Sequence, residues 1–224
     1  IAKYLGTNVT PIEYGSGSLE KVRILLDTLI DPVSLCAIDI SEEQLQKGAD
    51  IIREAYPKLE VLTVATDFTS SLKIPKSKRQ TKSKIAFFPG STIGNFEPIS
   101  AKTFLQSICK TVGINGKLLI GVDLKKDHER LLRAYDDNKS ITDAFNKNLL
   151  SRINQELGAD FNQSLFRHIV RFNTFEGRVE MHLESCVDQV VNIGKEPSRE
   201  DTQKSNSKKS KAKSTANVEQ GMVE

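Results

Sequence analysis

The chain has 224 residues, of which 38% are hydrophobic and 27% are charged, and its formal net charge is +3. This composition predicts a soluble globular protein. It argues against a membrane-spanning helix, because no apolar run approaches the ~20 residues that such a helix needs. Much of the small positive charge lies in two lysine-rich stretches, so we expect neither a nucleic-acid nor a membrane partner.

The three cysteines, Cys36, Cys109 and Cys186, lack the spacing of a metal site, and an unclustered odd number is typical of a reducing compartment. Cys36 and Cys109 lie in apolar runs and are predicted to be core residues. No signal peptide is visible and the chain begins with Ile1, so we expect a cytoplasmic protein that lacks its true start.

Strands and helices alternate through the first 125 residues. Apolar strands are predicted at 11–14, 34–39, 59–65, 84–88 and 117–122. Helices are predicted at 20–30, 41–56 and 99–112, with Ser41 as the N-cap of the second. Buried strands that alternate with helices form parallel sheets covered on both faces, so residues 1–124 are predicted to form an α/β domain.

The pattern changes after residue 125. Residues 127–157 have a helical pattern that is broken near Ser140, and residues 166–174 and 178–185 are predicted to form an antiparallel hairpin. We expect 125–194 to form an incomplete α+β lobe. Residues 195–224 are polar, rich in Lys and Ser, and predicted to be disordered.

The first strand leads into a glycine turn, Gly15-Ser16-Gly17, and the second strand ends at Asp39. Glycines let the backbone approach a ligand closely, and an acid at the next strand end can accept both ribose hydroxyls. Glu20 stands where the third glycine of a dinucleotide motif would be. The pattern therefore favours a nucleoside without phosphate, S-adenosylmethionine above all. The alternative for Asp39 is a charge at the N-terminus of the following helix.

Two further loops follow strands of the same predicted sheet. Asp67 and Phe68 come after the third strand, where a carboxylate can meet the adenine amine and a ring can pack on the base. Gly90-Ser-Thr-Ile-Gly-Asn95 comes after the fourth, and Asn95 could bind a carboxylate or an amine. The alternative for Gly94-Asn95 is a simple turn.

Ten short motifs occur along the chain in a fixed order. They are Glu13-Tyr-Gly-Ser-Gly-Ser18 with Lys21, Ile38-Asp-Ile-Ser41, Tyr56-Pro57, Asp67-Phe-Thr69, Phe88-Pro-Gly-Ser-Thr-Ile-Gly-Asn95, Gly121-Val-Asp-Leu124, Ala134-Tyr-Asp-Asp137, Phe145-Asn-Lys-Asn148, Leu157-Gly-Ala-Asp-Phe161 and Glu180-Met-His-Leu183. Together they closely resemble the histidine-specific S-adenosylmethionine-dependent methyltransferases, which make Nα-trimethylhistidine (hercynine) in ergothioneine biosynthesis. The resemblance covers roughly residues 11 to 185.

The resemblance implies a Rossmann-like class I methyltransferase sheet with S-adenosyl-L-methionine as cofactor and L-histidine as substrate. We expect a monomer. It implies that a first set of residues lines the cofactor pocket: Gly15, Ser16, Gly17, Lys21, Asp39, Asp67 and Phe68. It implies that a second set faces the histidine: Gly90, Asn95, Tyr135 and Met181. No catalytic base and no metal are implied.

Two departures from the family pattern concern the substrate. The family takes a tyrosine from an N-terminal arm that would precede Ile1, and its Glu-x-Ser segment, which grips the imidazole, is missing after Ser185. We therefore expect a chain truncated at both ends. Two alternatives to histidine methylation stay open: methylation of another amino acid or amine, and an inactive remnant that binds only the cofactor.

Overall fold

The computed structural model describes residues 1–70 and 72–194 with their side chains, and the backbone of 214–218 and 222–223. The chain divides into two compact units, Ile1–Leu124 and Lys125–Glu224. The assignment of residues 1–124 to cofactor binding and of 125–194 to substrate binding stays a prediction.

The first unit is built on a five-stranded parallel sheet with the strand order β3-β2-β1-β4-β5. The strands are β1 (Val9–Tyr14), β2 (Ser34–Asp39), β3 (Glu60–Ala65), β4 (Ser83–Phe88) and β5 (Lys117–Ile120). The order reverses between β1 and β4, so the carboxyl ends of these strands border the crevice where open α/β sheets bind ligands. The predicted Rossmann-like sheet is confirmed.

The α-helices described beside the sheet are α1 (Ala2–Leu5), α2 (Glu20–Leu26), α3 (Glu42–Ala55) and α4 (Pro98–Val112). Alternate strand residues point to opposite faces. Leu35 and Ile85 pack in one core cluster with apolar residues of α2 and α3. Ile38 and Phe88 pack in a second cluster with Phe104 and other apolar residues of α4. The sheet is therefore covered on both faces.

Helix α2 ends four residues before the predicted end at 30. The amide of Leu29 binds both the Leu25 and the Leu26 carbonyl oxygens, which tightens the last turn, and Asp31 takes φ +47° just before Pro32. A residue that precedes proline is disfavoured in a helix. A second correction concerns Cys109, which is exposed, whereas Cys36 is buried as predicted.

Leu19, the residue before α2, is buried in a left-handed conformation, with φ +59° and no exposed surface. It packs against Gly48 in the middle of α3, where an added Cβ would lie 3.1 Å from Leu19 Cδ1. The missing side chain at Gly48 therefore lets α2 begin close to α3.

In its described part, the second unit contains two helices and an antiparallel hairpin. The elements are α5 (His128–Tyr135), α6 (Ile141–Leu157), β6 (Phe166–Asn173), β7 (Arg178–Ser185) and β8 (Gln189–Ile193). The predicted break near Ser140 is confirmed, and Asp137 explains it: its carboxylate accepts hydrogen bonds from the amides of Ile141 and Thr142 at the start of α6. These bonds lower the pKa of Asp137 to about 2.

The predicted disordered tail, 195–224, falls largely outside the described residues, which omit 195–213, 219–221 and 224. Within it the structure has two short strands that the sequence analysis did not include. Strand β9 (Ser214–Val218) pairs antiparallel with β8, and β10 (Met222–Val223) pairs antiparallel with β7. Among the described residues, no helix is both long and apolar enough to cross a membrane.

Candidate active site

The glycine loop after β1 turns its backbone amides towards β2. The amides of Gly15 and Ser16 both donate to the carbonyl oxygen of Ile38, each at 2.9 Å, and the amide of Gly17 donates to Asp39 Oδ2 at 2.9 Å. Gly15 and Gly17 have φ values of +69° and +50°, which favour glycine. Because these three amides are bound within the chain, the loop does not direct them at a phosphate.

Ser16 holds this loop on the sheet. Its side chain is buried, and its hydroxyl donates to the Glu13 carbonyl oxygen at 3.1 Å and accepts from the Ile38 amide at 3.0 Å. The sequence predicts Ser16 as a cofactor-binding residue. The structure gives its hydroxyl a role within the scaffold of the loop.

Asp39 ends β2 with a half-buried carboxylate that two amides hold in place. Oδ2 accepts from Gly17, and Oδ1 accepts from the amide of Ser41 at 2.9 Å, at the N-cap of α3. The helix-terminus role that the sequence left open for Asp39 is thus present. Each carboxylate oxygen has a second lone pair, so a fixed Asp39 retains capacity to accept ligand hydroxyl groups.

Phe68, in the loop after β3, lies beside the glycine loop. An added Cβ at Gly15 would lie 3.3 Å from Phe68 Cε1, and the Phe68 ring packs edge-on against Phe88 with centroids 5.9 Å apart. The neighbouring Asp67 is exposed, and its Oδ1 accepts from the amide and the hydroxyl of Thr69 at 2.8 and 2.7 Å. These bonds lower the pKa of Asp67.

Lys21 of α2 reaches the loop that follows β4. An added Cβ at Gly90 would lie 2.8 Å from Lys21 Nζ, closer than real side-chain contacts allow, and Gly90 has φ +80°. The backbone conformation of Gly90 favours glycine, whereas the Lys21 ammonium is the end of a flexible side chain and could move aside for a larger residue. The structure thus brings together Lys21 and Gly90, which the sequence analysis assigned to different ligands.

The 90–95 loop fixes its backbone and exposes its last side chain. Ser91, at φ +59°, donates its amide to the Gly121 carbonyl oxygen at 3.1 Å, and its hydroxyl oxygen accepts from the Asp123 amide at 2.9 Å. A short 3-10 helix, Thr92–Asn95, follows. Asn95 is exposed at its end.

Glu13 is a candidate site residue that sequence reasoning missed. Its side chain is 2% exposed, and among the described residues its Oε2 atom has no hydrogen-bond partner. Burial raises the pKa of Glu13 to about 8, an effect that the Lys21 ammonium opposes and the Asp39 carboxylate reinforces. An acid within an apolar strand, two residues before a glycine turn, was the available signal.

In the second unit, Tyr135 ends α5 and is half-buried, and Met181 of β7 lies opposite Val170 of β6 with 37% of its surface exposed. The substrate roles of these two residues, like those of Gly90 and Asn95, stay predictions.

Comparison with known proteins gives a consistent result. A family model described as "Histidine-specific methyltransferase, SAM-dependent" matches residues 1–218. The chain is 39% identical over 188 residues to a histidine N-alpha-methyltransferase of Mycolicibacterium smegmatis, covering 82% of this chain and 57% of that protein. It is 40% identical over 189 residues to the protein of the same name from Mycobacterium tuberculosis, covering 83% and 58%.

A third relative, ergothioneine biosynthesis protein 1 of Schizosaccharomyces pombe, is 34% identical over 164 residues, which is 70% of this chain and 21% of that protein. Among solved structures, an S-adenosylmethionine-dependent methyltransferase from Clostridium acetobutylicum superposes with a TM-score of 0.45 at 11% identity, covering 85% of this chain and 62% of that one. The chain spans less than three fifths of the length of the two bacterial relatives.

Proposed function

This chain belongs to the family of histidine-specific, S-adenosylmethionine-dependent methyltransferases, and from that premise we propose that it methylates the α-amino group of L-histidine. The donor is S-adenosyl-L-methionine, and the product of three transfers is Nα-trimethylhistidine (hercynine). The relatives named histidine N-alpha-methyltransferase support this proposal.

One observation carries the proposal: a fixed carboxylate beside a glycine loop whose amides are bound within the chain. A phosphate-binding loop directs free amides at its ligand. Here the amides of Gly15, Ser16 and Gly17 are bound to β2, while Asp39 is held rigidly at the strand end. That arrangement fits a ligand with ribose hydroxyls and no phosphate, and S-adenosylmethionine is such a ligand.

Bound S-adenosylmethionine would supply an electrophilic methyl group on a positively charged sulfur. The chain's own residues align donor and acceptor, which is the main requirement of an in-line displacement. We propose that Asp39 accepts the ribose hydroxyls, that Asp67 and Phe68 contact the adenine, and that Lys21 binds the cofactor's carboxylate. Gly15 and Gly17 shape the loop, and Ser16 holds it on β2.

We propose that Glu13 supplies negative charge for this cationic cofactor. Its unpartnered Oε2 atom and its raised pKa mark a carboxyl group that is protonated at neutral pH in the free protein. A nearby positive charge favours the ionised form. Cofactor binding at pH 7 is therefore expected to release a proton from Glu13.

For the substrate, we propose that Gly90 and Asn95 of the first unit bind the backbone groups of the amino acid. An amide can hold a zwitterion without adding a full charge near the sulfonium. In the second unit, Tyr135 and Met181 are proposed as substrate-binding residues on the basis of the family resemblance. The attacking amine must be neutral, and water serves as the acceptor of its proton in this proposal.

The test is calorimetric titration of L-histidine into protein already saturated with S-adenosylhomocysteine. Heat with one-to-one stoichiometry is the expected result. Binding of S-adenosylhomocysteine without binding of L-histidine contradicts the proposal. Titration of other amino acids and amines then separates a methyltransferase of different specificity from an inactive, cofactor-binding remnant.

We further propose that the protein acts in the cytoplasm as a monomer, without nucleic-acid or membrane partners. The unclustered cysteines support a reducing compartment. Light scattering coupled to gel filtration checks the oligomeric state, and a mass of twice 24.9 kDa would contradict it.

A further inference from the structure

Helix α5 ends at Tyr135, and a histidine from the hairpin binds its last carbonyl group. The final four carbonyl oxygens of a helix have no partner within the helix. His168 Nε2 of β6 lies 2.9 Å from the carbonyl oxygen of Tyr135. A carbonyl oxygen only accepts, so Nε2 carries the hydrogen and donates it. His168 therefore acts as a side-chain cap at the C-terminus of α5.

The other ring nitrogen of His168 is held by Asn146 of α6. Asn146 Nδ2 lies 3.0 Å from His168 Nδ1 and donates to the His182 carbonyl oxygen at 3.2 Å. The Nε2–H tautomer leaves Nδ1 as an acceptor, so each hydrogen of the Asn146 amide has one acceptor. The amide and the imidazole thus fix each other's orientation, as such side-chain networks do.

The register of the hairpin relates His168 to Met181. His168 lies opposite Leu183, and Val170 lies opposite Met181. Residues two apart on a strand, and residues directly opposite on an antiparallel partner, share one face of the sheet. His168 therefore ties Tyr135 to the hairpin face that carries Met181.

A second contact anchors the start of α5 to the same face. The His128 ring stacks on Phe172 with centroids 3.9 Å apart and planes 25° apart, and Phe172 shares the face of His168. His128 and Tyr135 are seven residues apart, which is ~10 Å along a helix, and His168 and Phe172 are four residues apart, which is ~13 Å along a strand. These similar lengths fit a helix that lies along the hairpin. Leu131, between the two contacts, is buried.

We propose that His168, oriented by Asn146, is a positioning residue that sets Tyr135 for substrate binding. This inference rests on the proposed function, in which Tyr135 binds the amino acid. His168 acts through the Tyr135 backbone, so its loss is expected to change substrate affinity and to leave cofactor affinity unchanged.

Two substitutions in the full chain separate positioning from folding. In His168→Gln the amide nitrogen reaches roughly where Nε2 lies and can still donate to Tyr135. In His168→Asn the shorter side chain can meet Asn146 only. The reporter is 19F NMR of protein labelled with 3-fluorotyrosine. The chain has four tyrosines, and the variant Tyr135→Phe identifies the Tyr135 signal.

In His168→Asn we expect the Tyr135 signal to shift or broaden while the other three signals stay in place. L-histidine binding to the complex with S-adenosylhomocysteine should weaken about tenfold, with S-adenosylhomocysteine affinity unchanged. This tenfold change corresponds to about 1.4 kcal/mol. His168→Gln should restore both readouts.

An unchanged Tyr135 signal in His168→Asn overturns the proposal. Equal losses of melting temperature in both variants, without a change specific to Tyr135, also overturn it and assign His168 to folding alone. Should the unmodified chain bind S-adenosylhomocysteine but not L-histidine, the proposed function fails, and the 19F signal still decides whether His168 positions Tyr135.

Discussion

The glycine loop after β1 and the 90–95 loop after β4 leave the same edge of the sheet but use their polar groups differently. In the glycine loop, three successive amides and the Ser16 hydroxyl are bound within the chain. In the 90–95 loop, Ser91 fixes the backbone while the Asn95 side chain is exposed. The first loop therefore presents a fixed backbone beside Asp39, whereas the second presents an exposed side chain, that of Asn95. Substitutions in the first should affect stability and cofactor binding together, and Asn95 should affect the substrate only.

The largest expected effect is that of Glu13→Gln on stability. Burial raises the pKa of Glu13 to about 8 in the folded chain, from the ordinary value of 4.5 that holds in the unfolded chain. The folded form thus keeps a proton that the unfolded chain loses. The contribution of this carboxyl to the free energy of unfolding is fully present below pH 4.5 and is lost as the pH rises towards 8. At pH 7 the loss amounts to about 3 kcal/mol.

Urea unfolding at pH 5 and pH 7.5 measures this effect. Glu13→Gln should be more stable than the unmodified protein at pH 7.5, and the difference should shrink at pH 5. The exposed Glu54 of α3, replaced by Gln, is the matched control and should show no such pH dependence. The quantity to compare is the difference in free energy of unfolding between Glu13→Gln and the unmodified chain. If this difference is the same at pH 7.5 as at pH 5, Glu13 is not a buried, protonated acid.

Asp39→Ala should weaken S-adenosylhomocysteine binding by roughly 1–3 kcal/mol, because it leaves polar partners unpaired. The amides of Gly17 and Ser41 also lose their acceptor, so some loss of stability should accompany the weaker binding. Calorimetric titration measures the affinity. Unchanged affinity would refute the ribose assignment and leave Asp39 with its helix-terminus role alone.

Gly15→Ala and Gly17→Ala form a matched pair that tests the fit of the glycine loop. Both place a side chain at positive φ, which costs roughly 1–2 kcal/mol. Only at Gly15 would the new Cβ meet Phe68, at 3.3 Å, since no described atom lies within 4 Å at Gly17. Gly15→Ala should therefore weaken S-adenosylhomocysteine binding more than Gly17→Ala does. Equal effects on S-adenosylhomocysteine affinity would show that the Phe68 ring can move aside without weakening binding.

Asn95→Ala should have the smallest effect on the fold and the most selective effect on binding. Removal of one amide partner should weaken L-histidine binding by about 1 kcal/mol or more, while melting temperature and S-adenosylhomocysteine affinity stay unchanged. Parallel titrations with both ligands provide the comparison. Comparable losses for both would identify Asn95 as a structural residue and remove the proposed contrast between the two loops.

The fold of the first unit could be predicted from the sequence because apolar strands and helices alternate there with little ambiguity. The C-terminal end of α2 could not, since Leu29 completes the 3–4 apolar spacing of a helix, although the helix ends at Leu26 and the chain turns at Asp31. Cys109 shows the same limit: an apolar neighbourhood in sequence does not say which side of a helix faces the core.

For the candidate site, the sequence could point to the loops at the strand ends, since parallel strands bring their carboxyl ends to one edge. It could not separate ligand-facing from scaffold side chains. The Ser16 hydroxyl binds β1 and β2, and Glu13 is buried with an unpartnered oxygen. His168 shows no motif of its own, because its partners Asn146 and Tyr135 are 22 and 33 residues away.

The pairing of Leu19 with Gly48 has a consequence for protein engineering. Replacing a glycine inside a helix by alanine is a common route to thermostability, worth up to about 1 kcal/mol. At Gly48 the added methyl would lie 3.1 Å from Leu19 Cδ1 and 3.3 Å from the backbone of Ser18. A design method that ranks positions by helix propensity would select Gly48 for replacement by alanine. The new methyl group would then push against Leu19, which precedes α2, the helix that carries Lys21.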